Sequence, residues 1–103
     1  MRLEITLAAR ADISDILLFT EQRWGREQRD AYMQFIDVAL SRLLAVPGMG
    51  RLVDELSSGL HRVNVESHVI YYWVDEDRLT VARVLHARQD PYEVEWDILE
   101  DER

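Results

Sequence analysis

Arg83, His86, Arg88 and Gln89 fall within seven residues of one another, and His61 and Arg62 lie on an earlier segment that reads as a neighbouring strand. Guanidinium groups beside an imidazole are suited to gripping a phosphate. Arginine would hold developing charge and histidine would move a proton. The plainer alternative is that these side chains pair with the many acids nearby. No phosphate-cradling glycine loop and no Gly-x-Ser-x-Gly elbow is present. His61, His68 and His86 lack zinc-ligand spacing, and the absence of cysteine excludes disulfides, thiolate metal sites and a cysteine nucleophile. No metal or cofactor is expected. Tyr71-Tyr72-Trp73 could stack on nucleobases, but strand alternation sends neighbours to opposite faces, so core packing is the expected role.

The elements that must position these residues fit in 103 residues, one small domain spanning 1–103 with a thin core. All 12 bases are arginine, against 20 acids, for a net charge of −8. Residues 90–103 carry −6 and the remaining 89 residues carry −2, so the body is nearly balanced and the C-terminal segment is acidic. A wide nucleic-acid grip needs a basic face, which argues against direct nucleic-acid binding. The N-terminus leads into no apolar run of signal-peptide length, and Val69 to Val74 is too short to span a bilayer. A cytoplasmic protein with no membrane partner is expected.

Residues 2–6 alternate as a short strand, and Thr6 can cap a helix. Ile13, Ile16, Leu17, Thr20 and Trp24 mark one face of a first helix, Ala8 to Trp24, which Gly25 ends. Leu18 points roughly opposite. A second helix, Arg26 to Val46, carries a stripe of Tyr32, Phe35, Ile36, Ala39, Leu40 and Leu43. Met33, Leu40 and Leu44 widen its apolar arc to about half the circumference. So short a connection predicts an antiparallel helical hairpin.

Residues 47–59 read as a loop, followed by strands at Leu60 to Val65, His68 to Val74 and Leu79 to His86. Asp90, Pro91 and Glu93 open a short C-terminal helix bearing Tyr92, Trp96 and Leu99, with fraying at Asp101-Glu102-Arg103. The expected fold is α+β: an N-terminal strand, a two-helix hairpin on a small, mostly antiparallel sheet, and a short C-terminal helix.

Thr6-Leu7-Ala8-Ala9-Arg10-Ala11-Asp12-Ile13, Trp24-Gly25 and Pro47-Gly48-Met49-Gly50-Arg51 together resemble the first half of ParE toxins. His68-Val69-Ile70-Tyr71-Tyr72-Trp73-Val74-Asp75 and Arg83-Val84-Leu85-His86-Ala87-Arg88-Gln89-Asp90-Pro91 are similar to that family's sheet and C-terminal signature. The resemblance implies a RelE/ParE-like fold and the toxin of a type II toxin–antitoxin module. It also implies growth inhibition by poisoning DNA gyrase, without enzymatic activity, and neutralisation by a ParD-like antitoxin in a hetero-oligomer. Within the superfamily, the alternative is a RelE-like ribosome-dependent mRNA endoribonuclease, for which Arg62, Arg83 and His86 lie at roughly matching places. The lack of lysine, the acidic total and Ala87 directly after His86 stand against it. A non-toxic interaction module is a third reading. The expected target-facing residues are Arg83, His86, Arg88 and Gln89. The expected antitoxin groove is Leu18 with Met33, Leu40 and Leu44, where a partner helix that folds on binding would lie. The acidic segment is expected to modulate the target contact or fold back onto arginines.

Overall fold

Thr6 starts the first helix by two bonds. Its hydroxyl accepts the Ala9 N–H at 3.0 Å and donates to the Ala82 carbonyl at 2.8 Å, tying the helix start to a distant strand. The computed structural model describes residues 1–102, so the fraying expected at Arg103 lies outside the described residues. The elements run β1 (Arg2–Ile5), α1 (Leu7–Trp24), α2 (Arg26–Ala45), β2 (Arg51–Leu52), β3 (His61–Val65), β4 (His68–Val74), β5 (Arg78–His86) and α3 (Trp96–Glu100). Short 3-10 turns occupy Pro47–Met49 and Pro91–Glu93. Gly25 alone joins α1 to α2. It sits at φ +97°, a conformation that costs a side-chain-bearing residue, and its N–H returns to Glu21 at 2.8 Å. Pro47 disfavours helical geometry at Val46, and α2 stops there.

The sheet order is β1-β5-β4-β3-β2. β1 is parallel to β5 and the other pairs are antiparallel. The segment expected to be all loop, 47–59, supplies the edge strand β2. Because β4 lies between β3 and β5, His61 and Arg62 do not neighbour Arg83 and His86, contrary to the sequence expectation.

Pairing along β4–β5 runs Val74↔Leu79, Trp73↔Thr80 and Tyr72↔Val81, then shifts by one residue to Tyr71↔Arg83 and on to His68↔His86. Ala82 is the extra residue of this bulge, which leaves local backbone groups without ladder partners. Thr6 takes the Ala82 carbonyl, and the Asp12 carboxylate accepts the Val84 N–H at 3.0 Å. The first turns of α1 therefore complete the hydrogen bonding of the bulged strand.

Both sheet faces are covered. On one, Ile36, Leu40 and Leu43 of the hairpin pack with Ile70, Tyr72, Leu79, Val81 and Val84. Ile36 and Leu43 are fully buried, each worth about 1.5–3 kcal/mol relative to exposure. On the other, Trp96 and Leu99 pack with Val69, Tyr71, Trp73, Ala82 and Leu85. Tyr71, Tyr72 and Trp73 are all core residues, divided between the two faces.

Two further expectations need correction. Trp24 and Phe35, expected on core stripes, are 61% and 44% exposed, because the hairpin overhangs the sheet where the helices connect. The single C-terminal helix is broken into a 3-10 turn and α3, with Tyr92 exposed. The non-helical link at Val94 and Glu95 lets the Trp96 indole N–H reach the Pro91 carbonyl at 3.0 Å while its ring lies 5.1 Å from Tyr71. The acidic segment is thus anchored by apolar side chains. Among the described residues, no helix is long and apolar enough to cross a membrane.

Candidate functional site

A cleft of about 680 Å³ opens where the connected ends of α1 and α2 meet the β3–β4 turn and the end of β5. Tyr32, His68 and His86 form one side of it. Phe19, Trp24 and Phe35 form another, and Asp15 and Glu66 place two carboxylates in the lining. The ring contacts form one pair and one separate run of four. Phe19 meets Trp24 edge-on at 6.0 Å, Phe35 meets Tyr32 at 6.2 Å, Tyr32 meets His68 at 5.4 Å, and His68 meets His86 at 5.2 Å.

Each wall has a local cause. The bulge sets His86 opposite His68; unbroken pairing would have put Leu85 there. The two-residue turn from Val65 to His68 holds Glu66 at φ +52°, a conformation that favours glycine. The Ser67 N–H donates to the Tyr32 hydroxyl at 3.3 Å. That hydroxyl is hydrogen-bonded to His68 Nδ1. The same hydroxyl also lies 3.5 Å from the Val65 carbonyl. Burial pushes the His68 pKa below its ordinary 6.5, and nearby His86 pushes the same way. Burial also raises the Tyr32 pKa above 10, partly offset by the Ser67 hydrogen bond.

The sequence-chosen residues separate in space. Arg83 is held by Asp12 through two bonds, Nε at 2.6 Å and a terminal nitrogen at 2.8 Å, and this pairing raises its pKa further. That is the acid-pairing reading of this arginine. His86, Arg88 and Gln89 form the exposed turn leaving β5. The His86 N–H donates to the Gln89 side-chain carbonyl at 2.8 Å, and the Arg88 N–H donates to His86 Nδ1 at 3.1 Å. Arg62 instead lies over the Tyr71 ring at 5.7 Å, and His61 stacks on Tyr72. The six residues therefore do not converge on one phosphate-sized site.

The expected antitoxin groove also divides. Leu18 is exposed, Met33 and Leu44 are half-buried against the core, and Leu40 is buried at 7% exposure. Leu40 has almost no surface left for a partner, because the wide arc of α2 is filled by the sheet. The exposed large apolar side chains of the hairpin are Leu7, at the far end of α1, and Leu18, Phe19, Trp24, Phe35 and Val38. Sequence reasoning misses Phe19 and His68 as site residues and takes Trp24, Tyr32 and Phe35 for core. One usable signal is present: large aromatics cluster at the ends of both helical stripes nearest Gly25.

Residues 3–91 match a family model described as the ParE toxin of type II toxin–antitoxin system, parDE. Toxin ParE1 of Mycobacterium tuberculosis is 37% identical over 84 residues, covering 81% of this chain and 86% of the relative. Toxin ParE1 of Caulobacter vibrioides is 38% identical over 78 residues, covering 76% and 80%. A solved chain from a chromosomal ParDE TA system of P. aeruginosa shares the fold with a TM-score of 0.72 at 20% identity, covering 84% of this chain and 95% of that one. The family match ends at residue 91, so most of the acidic segment lies beyond it.

Proposed function

The chain belongs to the ParE toxins of type II toxin–antitoxin systems, and from that premise we propose that it arrests growth by poisoning DNA gyrase until a ParD-like antitoxin neutralises it. It acts in the cytoplasm, by binding rather than by catalysis, with residues 1–103 as one toxin unit. The observation that carries this reading is the family match over residues 3–91. The geometry is compatible with it. Arg83 is engaged by Asp12 and Arg62 lies against Tyr71, so neither is presented as a free phosphate grip. This disfavours the RelE-like mRNA cleavage reading.

The target contact is assigned to the exposed turn of His86, Arg88 and Gln89, with Arg83 supporting it through Asp12. The antitoxin contact is assigned to the exposed apolar strip of the hairpin, Leu18, Phe19, Trp24, Phe35 and Val38. Met33 and Leu44 lie at its margin, and Leu40 lies beneath it. A partner segment that orders on this strip would bury apolar surface now facing water. The structural neighbour comes from a ParDE system, which fits a two-component complex.

The deciding experiment is a plasmid cleavage assay with purified gyrase. The reading requires the toxin to trap cleaved plasmid, and added ParD-like antitoxin to abolish the trapping. Unchanged gyrase supercoiling and cleavage would remove the gyrase target. Codon-specific mRNA cuts mapped by primer extension after induction would instead establish the endoribonuclease. Normal growth on induction would leave a non-toxic interaction module.

A further inference from the structure

The cleft combines features that water alone does not explain. Phe19, Trp24 and Phe35 are large apolar side chains left 58%, 61% and 44% exposed around one concavity. Asp15 and Glu66 line the same concavity, and neither is in a salt bridge among the described residues. Aromatic faces and carboxylates together attract a cation that also offers apolar surface. An anion would meet two negative charges and a chain of net charge −8. The protein already makes one contact of this kind, with the Arg23 guanidinium 5.5 Å from the Trp24 ring centroid.

We propose that this cleft receives an arginine side chain carried by a partner polypeptide, with its guanidinium against Trp24 and Phe35 and balanced by Asp15 and Glu66. Arginine suits the site better than lysine. Its planar, weakly hydrated guanidinium stacks on rings and can meet carboxylates by paired hydrogen bonds. A polypeptide source follows from the surroundings. Val38 lies one helical turn from Phe35, so exposed apolar surface continues past the cleft where a longer chain would cover it. Glu66 adds support: a strained, non-glycine conformation in the turn keeps a carboxylate at the lining.

The charged and titratable groups around the cleft are Asp15 and Arg23 on α1, Tyr32 on α2, Glu66 in the turn, His68 on β4 and His86 on β5. Arg23 opposes a second cation, and the two carboxylates offset it. Protonation of His68, whose pKa burial lowers, adds positive charge, so arginine binding weakens as the solution is acidified below about pH 6.5.

The inference requires neither gyrase nor growth arrest, and it is read on the purified full chain. Terminally blocked arginine is titrated while the Trp24 indole N–H signal is followed by NMR; Trp73 and Trp96 are buried and serve as internal controls. The expected result is a saturable shift of Trp24. Terminally blocked citrulline, the neutral isostere, binds about tenfold more weakly. D15N/E66Q and F35L each lose most of the binding while retaining the dispersed spectrum of the fold. Equal binding of arginine and citrulline, or binding unchanged in D15N/E66Q, overturns the proposal. Spermidine binding more tightly than a nine-residue peptide with a central arginine also overturns it, because the cleft would then serve a free amine.

Discussion

The Asp12 carboxylate accepts two hydrogen bonds from the Arg83 guanidinium, at 2.6 and 2.8 Å, and a third from the Val84 N–H at 3.0 Å. One side chain on α1 thus neutralises a partly buried cation and caps the backbone of a bulged strand. Replacing Asp12 by alanine leaves both without a partner. D12A is expected to destabilise the fold by about 2–4 kcal/mol, read as a lower urea midpoint with unchanged slope. Arg83→Ala frees the carboxylate to face water and should cost less. Any loss of toxicity in R83A should therefore track its loss of stability.

Arg88 allows the proposed target contact to be tested apart from folding. It lies in the exposed turn after β5, and the hydrogen bond given there is made by its backbone N–H. R88E is expected to keep the unfolding free energy from urea titration within about 0.5 kcal/mol of the parent. In an induced-growth assay it should weaken growth arrest. Full arrest at equal protein level would remove the turn from the target surface.

His68 predicts a pH dependence of stability. Its folded pKa lies below the ordinary 6.5, chiefly because the ring is buried, so the unfolded chain binds its proton more readily. Its contribution is complete above about pH 6.5 and is lost as pH falls from there through the lower folded value. Thermal midpoints measured from pH 7.5 down to 5 should fall through this window. In H68N the slope over the same range should flatten, while the carboxylate-driven loss below about pH 4 persists.

The C-terminal segment should matter for the body of the protein. Trp96 and Leu99 are 4% and 6% exposed on the second sheet face, against Tyr71 and its neighbours. W96A is expected to cost about 3–5 kcal/mol. A chain ending at Pro91 should expose that face and bind a hydrophobic dye. If the truncated chain instead keeps the parent's unfolding midpoint, α3 contributes nothing to the fold.

The positions of β1, β3, β4 and β5, both hairpin helices and the Gly25 connection are legible in the sequence because they rest on local rules: periodicity, capping and breaking residues. β4 reads with its observed bounds, His68–Val74, since a run apolar on both faces fits a strand covered on both sides. Trp24 and Phe35 are misplaced by the same rules because periodicity identifies a helical face without saying how far the neighbouring sheet extends beneath it. Leu40 is misplaced for the converse reason: an arc wider than one contact can be filled entirely by the core.

By itself the chain's chemistry determined the order of the elements apart from β2, the two-sided hydrophobicity of the central strand, the acidic C-terminal end and the family resemblance. Only the tertiary structure decided that α3 covers the second sheet face, that Asp12 engages Arg83, and that His68 meets His86. The last two follow from one extra residue at Ala82. A bulge is a cooperative outcome of pairing, of helix docking and of the hydrogen bonds that Thr6 donates and Asp12 accepts, and no local pattern within β5 encodes it.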